Sequence, residues 1–292
     1  MAEIVVASGK GGVGKSTISS SLSVILSDKK IGIVDADAEA PNLHLIFDIN
    51  NWEKEIDYRN KSVAVVNYSK CDMCLICEKN CSYEAIYHDS LLKIRDYVCE
   101  GCGACKVVCP KKAIEIIKDQ HSGWIRISST KYGPLITSEL EVGQPNSGKL
   151  VTEEKKIARE WIRDGKVKNL IVDSAAGIGC QVIASVSGAN YAILVAEPTE
   201  SSLSDLSRIF SLTYHFRIKS YIILNKSNIN PGFDGIKKFA SENNIEILGE
   251  IPYDENVSKS LAYKKPLVLF NPKSIATKAI IEISESVKKF LD

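Results

Sequence analysis

Eight of the nine cysteines lie between Cys71 and Cys109, with only Cys180 outside. They form two runs of one spacing, Cys71-x-x-Cys74-x-x-Cys77-x-x-x-Cys81 and Cys99-x-x-Cys102-x-x-Cys105-x-x-x-Cys109. A chain of 292 residues can bury a core without disulfide staples, so thiols bunched this densely point to metal. Each run ends alike, in Cys81-Ser82-Tyr83-Glu84-Ala85-Ile86 and Cys109-Pro110-Lys111-Lys112-Ala113-Ile114. Two copies of one small unit predict a pseudo-twofold module inserted as a single block over residues 61–120. Two tetrahedral zinc sites are the alternative, since C-x-x-C is also zinc spacing. Zinc knuckles usually supply two ligands each, whereas each run here supplies four.

The block interrupts a different pattern. Glu3-Ile4-Val5-Val6-Ala7 and Ile31-Gly32-Ile33-Val34 are apolar runs flanking a helical segment with Ile18, Leu22, Ile25 and Leu26 on one face. After the cysteines come Asn169-Leu170-Ile171-Val172, Tyr191-Ala192-Ile193-Leu194-Val195, Tyr221-Ile222-Ile223-Leu224 and Ile245-Glu246-Ile247-Leu248. Segments of helical period, such as 152–164 and 202–215, separate them. Continuously apolar strands alternating with helices predict an α/β fold, a mostly parallel sheet with helices on both faces. Residues 124–141, with Gly133-Pro134 as the turn, read as a hairpin leading back to that sheet. Gly143-Gln144-Pro145-Asn146-Ser147-Gly148-Lys149 reads as a turn-rich loop, either a plain turn or a partner-recognition element. Pro266-Leu267-Val268-Leu269-Phe270 reads as an edge strand, and 274–291 as a closing helix. The expected domains are therefore 1–60 and 121–292 for the two parts of the main sheet, and 61–120 for the insert.

Lys+Arg 37 against Asp+Glu 36 leaves a net charge of +1, which offers no field for nucleic acid. No stretch nears the ~18 apolar residues of a spanning helix. The amino-terminal run lacks the regions of a secretion signal, so a cytoplasmic protein is expected. Lys288-Lys289 could suggest a membrane-binding tail, but Ala276, Ile280, Ile283, Val287 and Leu291 make an ordinary core-facing stripe. No stable membrane anchor is expected.

Gly9-Lys10-Gly11-Gly12-Val13-Gly14-Lys15-Ser16 fits G-x-x-x-x-G-K-[ST], between a strand and a helix as that motif requires. Glycines let successive backbone N–H groups converge on phosphate oxygens, and the helix N-terminus adds its dipole. Lys15 would neutralise the β- and γ-phosphates and Ser16 would reach Mg²⁺, with Thr17 completing the nucleotide-binding run Gly9–Thr17.

The second lysine, Lys10 in SGKGGVGKST, resembles the deviant Walker A of the MinD/ParA class, which includes the nitrogenase iron protein. The resemblance implies a nucleotide-sandwich homodimer in which Lys10 reaches the partner's phosphates. Asp35-Ala36-Asp37 then looks like switch I, with Asp37 holding or activating the attacking water and Asp35 assisting the Mg²⁺ shell. Asp173, in Asp173-Ser174-Ala175-Ala176-Gly177, is similar to the Walker B and switch II carboxylate. Asn225, with Lys226, occupies the place where the class contacts the base. The run continues to Asn228 without the aspartate often found there, which disfavours guanine and favours ATP. Pro252 fits either a base contact or a plain loop.

Both cysteine runs resemble those of two-cluster bacterial ferredoxins, in which the fourth cysteine of each run serves the other cluster. The resemblance assigns Cys71, Cys74, Cys77 and Cys109 to one [4Fe–4S] cluster and Cys99, Cys102, Cys105 and Cys81 to the other. It makes the insert a small α+β ferredoxin-like domain. Gly101 and Gly103 suit the tight turns of the second run; Ser82 departs from the proline expected after Cys81 but removes no ligand. Cys180 reads as a small buried thiol. The whole chain thus resembles MinD-superfamily ATPases carrying a two-cluster ferredoxin insert. Three functions are open: an ATP-gated electron carrier with a redox partner, a cluster carrier serving an acceptor, and a ParA-like positioning ATPase. Mrp-type carriers usually use a short C-x-x-C at the dimer interface, separate from any ferredoxin-type run, which is absent here, and two clusters would be idle in a positioning ATPase, so the order stands as given.

Overall fold

The computed structural model describes residues 1–144 and 147–291. The chain forms two compact units, Met1–Glu55 with Ile125–Glu139 and Ser147–Asp292, and Ile56–Trp124 with Leu140–Asn146.

The strands are β1 (Glu3–Ser8), β2 (Ile31–Ala36), β3 (Lys54–Val66), β4 (Ile86–His88), β5 (Leu92–Ile94), β6 (Ile114–Thr130), β7 (Gly133–Leu140), β8 (Asn169–Ala176), β9 (Tyr191–Ala196), β10 (Lys219–Asn225) and β11 (Glu246–Ile251). Nine pair in the order β11-β10-β9-β1-β8-β2-β7-β6-β3. The pairings from β11 to β7 are parallel. This is the α/β fold with a large, mostly parallel sheet that the apolar runs predict. Helices cover both faces. Ile31 and Ile33 pack with Leu22, Leu26, Ile280 and Val287 in one core, whereas a side chain at Gly32 would meet Trp161 on the opposite face. Ala276, Ile283 and Leu291 are also buried, so the stripe of the closing helix Ile275–Lys288 and the residues after it is core. Among the described residues no helix is long and apolar enough to cross a membrane.

Three local expectations change. The run at Pro266–Phe270 is a short helix, Leu267–Phe270, because the N–H groups of Leu269 and Phe270 both close onto the Pro266 carbonyl. Five apolar residues carry no period that separates helix from strand. The turn between β6 and β7 falls at Lys131 and Tyr132, and Gly133 instead opens β7 at φ +145°, where a Cβ would strike the Ile31 carbonyl. Ser147, Gly148 and Lys149 begin the helix Ser147–Arg163 rather than a loop. Pro145 and Asn146 of that expected loop lie outside the described residues.

Glu154 on this helix is fully buried, accepts a hydrogen bond from Ser138 Oγ at 2.7 Å, and has no partner for Oε1 among the described residues. Burial pushes its carboxyl well above the ordinary glutamate value of 4.5, and the nearby Asp35 adds to the rise. The stability this group contributes is full below its unfolded value and is lost as pH climbs through the folded one. Glu154→Gln, neutral at every pH, should flatten that decline. Urea midpoints from about pH 4.5 to about pH 8.5 should fall less for the variant than for the wild type, and parallel profiles would refute the assignment.

The second unit holds the antiparallel pair β4–β5, registered Ile86 to Ile94 and His88 to Leu92, and the short helices Ile76–Lys79 and Ala104–Val108. Its small core contains Ala64, Ile86, Leu92 and Ile114 together with Cys77 and Cys105. The sequence repeat is also a backbone repeat. Met73 and Gly101 are left-handed at φ 58° and 61°, Leu75 and Gly103 at 60° and 81°, and Glu84 and Lys112 at 53° and 49°. Non-glycine residues rarely adopt this conformation, so its recurrence at matched positions marks one turn design used twice.

Candidate functional site

β1 delivers the chain to a glycine-rich turn at its carboxyl end, the edge where open α/β sheets bind ligands. Gly12 and Gly14 sit at φ +78° and +98°, and Gly14 starts the helix Lys15–Ile25. The φ at Gly14 favours glycine, and a Cβ there would also displace the Asn225 amide. The turn opens into a cavity of about 580 Å³ lined by Gly11, Gly12, Gly14, Lys15, Ser16 and Thr17, with Asp37 facing them. Asn225, Lys226, Pro252, Tyr253, Val257 and Leu261 are among the residues that line the remaining wall. Its size suits a nucleotide.

Asp173 is buried within β8, three residues before its end, taking hydrogen bonds from Ser16 and, at 2.8 Å, from Ser19 Oγ. Burial pushes its carboxyl up to about 6 against those hydrogen bonds and the Lys15 charge. Burial lowers the Lys15 ammonium, while Asp173 and Asp37 pull the other way. Lys15, Ser16 and Asp37 thus line the cavity at the loop, with the buried Asp173 hydrogen-bonded to Ser16 and outside the lining.

Other sequence-selected residues are placed differently. Asp35 is fully buried and does not line the cavity. Its Oδ2 accepts from the Asn42 and Leu43 N–H groups at 2.8 and 2.7 Å, fixing the turn that follows Asp37. Burial raises its carboxyl strongly, with Asp173 adding to the effect. Asn225 lines the cavity, but its amide spends its groups on the backbone. Nδ2 donates to the Val13 carbonyl at 2.7 Å and Oδ1 accepts from the Lys226 N–H at 2.9 Å. Gly9, Lys10 and Val13 do not line the cavity; Val13 is core, and a side chain on Gly9 would strike the Asp205 carbonyl. Lys10 Nζ lies 3.4 Å from both Glu197 Oε2 and Ser201 Oγ. Cys180 is exposed rather than buried, because it opens the helix Cys180–Val186 directly after a glycine turn.

Two residues escaped sequence reasoning. Gln181 Oε1 accepts from the Ala38 N–H at 2.8 Å, tying the segment after Asp37 to the helix that follows Asp173. Glu197 pairs with Lys10 and with Lys226. Its signal was available: it directly follows β9 at the ligand-binding edge of the sheet.

In the second unit, Cys71, Cys74, Cys77 and Cys109 ring one hollow with Met73 and Leu92. Cys81, Cys99, Cys102 and Cys105 ring another with Ile86 and Ile116. Each hollow takes three cysteines of one run and the fourth of the other. All eight are free thiols. Burial raises the Cys77 thiol and pushes that of Cys105 up to about 11. The turn after each fourth cysteine is the same, Glu84 N–H to the Cys81 carbonyl and Lys112 N–H to that of Cys109, both 3.1 Å. Ser82 in place of proline leaves it intact. Ligands of one tetrahedral zinc at ~2.3 Å would stand within about 4 Å of one another. Among the described residues no three His, Cys, Asp or Glu side chains converge on a single-ion site.

Residues 4–267 match the CobQ/CobB/MinD/ParA nucleotide binding domain family. The chain belongs to that family. An uncharacterised protein of Methanocaldococcus jannaschii is 35% identical over 294 residues, covering 99% of this chain and 97% of the relative. An iron-sulfur cluster carrier protein of Pyrococcus furiosus is 25% identical, covering 98% of this chain and 85% of its own length. The septum site-determining protein MinD of Pyrococcus horikoshii, solved with Mg-ADP, superposes with a TM-score of 0.62 at 19% identity, over 99% and 96% of the two chains. The protein is therefore a P-loop ATPase of the MinD/ParA type.

Proposed function

We propose that this ATPase is an iron–sulfur protein that couples its nucleotide state to electron transfer through two [4Fe–4S] clusters. The observation that carries the reading is the pair of separate hollows, each ringed by four free cysteines drawn from both runs. That donor set suits cubane clusters: all-thiolate, four to a site, on turns whose left-handed residues repeat. Cys71, Cys74, Cys77 and Cys109 would hold one cluster, and Cys99, Cys102, Cys105 and Cys81 the other, in a ferredoxin-like insert centred on residues 61–120. When bound, the clusters supply one-electron storage and transfer.

The chain's own residues set the nucleotide chemistry. The loop N–H groups and Lys15 would bind the phosphates of ATP, while Ser16 and Asp173 would hold Mg²⁺. Asp37 orients the attacking water, and Gln181 and Asp35 hold the backbone that follows it, at Ala38 and at Asn42 and Leu43. Lys10 would act across a nucleotide-dependent homodimer. A redox protein is the expected partner.

A second reading, cluster delivery to an acceptor, is favoured by the relatives named as carriers. Anaerobic reconstitution followed by EPR with ADP, with a non-hydrolysable ATP analogue and without nucleotide separates the two. Reversible reduction of clusters that stay bound, with nucleotide-dependent signals, supports electron transfer. Loss of clusters to an apo-ferredoxin on ATP addition would replace it with delivery.

A further inference from the structure

Glu197 stands at the exit of β9 with its side chain 10% exposed and its two oxygens divided between two lysines. Oε1 lies 2.5 Å from Lys226 Nζ, and Oε2 lies 3.4 Å from Lys10 Nζ. The main chain of Glu197 is anchored on both sides. The Glu197 N–H donates to Ser202 Oγ at 2.9 Å, and the Thr199 N–H donates to the Glu197 carbonyl at 2.8 Å. Lys226 reaches onward to the Gly12 carbonyl at 3.1 Å. One acid therefore ties together the start of the phosphate loop and the segment after β10, across 187 residues of sequence for Lys10.

The two pairs are unequal. Lys226 is held at the shorter distance and lines the nucleotide cavity, whereas Lys10 is held more loosely and does not line it. A nearly buried carboxylate stripped of all its cations is costly. Here Lys10 can leave without that cost, because Lys226 stays behind to neutralise Glu197. A triphosphate presented by another molecule is a stronger acceptor for an ammonium than a carboxylate already shared.

We propose that Glu197 is a positioning residue for the phosphate loop: it stores Lys10 in an intramolecular ion pair outside the nucleotide cavity and yields it to the nucleotide of a second copy of the chain. The inference rests on the sandwich-dimer reading of Lys10. Glu197 thus sets how readily the ATP-bound dimer forms, without touching nucleotide itself.

Two measurements test it. In the nucleotide-free protein, trace acylation of amines by acetic anhydride, read by mass spectrometry, reports how tightly Lys10 is held. Glu197→Gln should raise the Lys10 rate by about threefold to fivefold. Lys226→Ala, which leaves Glu197 to Lys10 alone, should lower it. Unchanged Lys10 rates in both variants overturn the storage pair. Sedimentation with a non-hydrolysable ATP analogue then gives the dimerisation midpoint. Glu197→Gln should dimerise at about threefold to fivefold lower concentration than wild type, and the gain should vanish in a Lys10→Ala background. A gain that survives loss of Lys10 overturns the proposal. Failure of the wild-type chain to dimerise at all overturns the hand-over and the sandwich reading together, and the labelling result still decides whether Glu197 holds Lys10.

Discussion

Cys109→Ala should lose the cluster assigned to the first cysteine run, although Cys109 belongs to the second. In the structure Cys109 sits with Cys71, Cys74 and Cys77, and its Sγ accepts from the Ala113 N–H at 3.2 Å. Removing one of four thiolates leaves a site with an open position and a tight turn aimed at nothing. Cys81→Ala should do the reverse, emptying the hollow ringed by Cys99, Cys102 and Cys105. Anaerobic reconstitution of the unaltered chain should yield about eight iron and eight sulfide, and each variant about half or less. Because Cys77 and Cys105 share one small core, either loss should also loosen the other hollow. Cys180→Ala, far from both in sequence and exposed, should keep the full complement. Two tightly held zinc ions without charge-transfer absorption would overturn the cluster assignment, and electron transfer with it.

The second large effect belongs to Lys15. It is 8% exposed at the floor of the phosphate loop, facing the carboxylates of Asp173 and Asp37. Lys15→Ala removes the cation that balances incoming phosphate and leaves those two acids unopposed beside it. Charge-assisted contacts are worth about 1.5–3 kcal/mol. ATP affinity by calorimetry should therefore fall tenfold or more, and turnover should fall with it. Lys15→Arg should not restore either in full, since a planar guanidinium does not replace a compact ammonium in a buried turn. Unchanged ATP binding by Lys15→Ala would refute the phosphate-site reading.

How much of this was legible in advance depends on the distance over which each feature is made. The phosphate loop and the cysteine runs are local designs. The loop's glycines and lysine, and the first three thiols of each run, need their neighbours within a few residues, so spacing shows them, whereas the fourth thiol of each hollow comes from the other run. The parallel sheet was equally legible, because strands buried on both faces must be apolar throughout. The short run at Pro266–Phe270 was not, since its length leaves helix and strand equally open and only the closure onto the Pro266 carbonyl decides between them.

The roles of single polar residues were decided elsewhere. Asp35 and Asp37 are two positions apart and alike in sequence, yet one buttresses the backbone and the other faces the cavity. Asn225 braces the loop at Val13, 212 residues away in sequence. Glu197 meets Lys10 and Lys226 only because β9 and β10 end beside the loop that follows β1. A side chain declares its chemistry in the sequence, but a buried polar group must be satisfied by whatever the fold brings within hydrogen-bonding reach. That partner is a property of the tertiary structure alone.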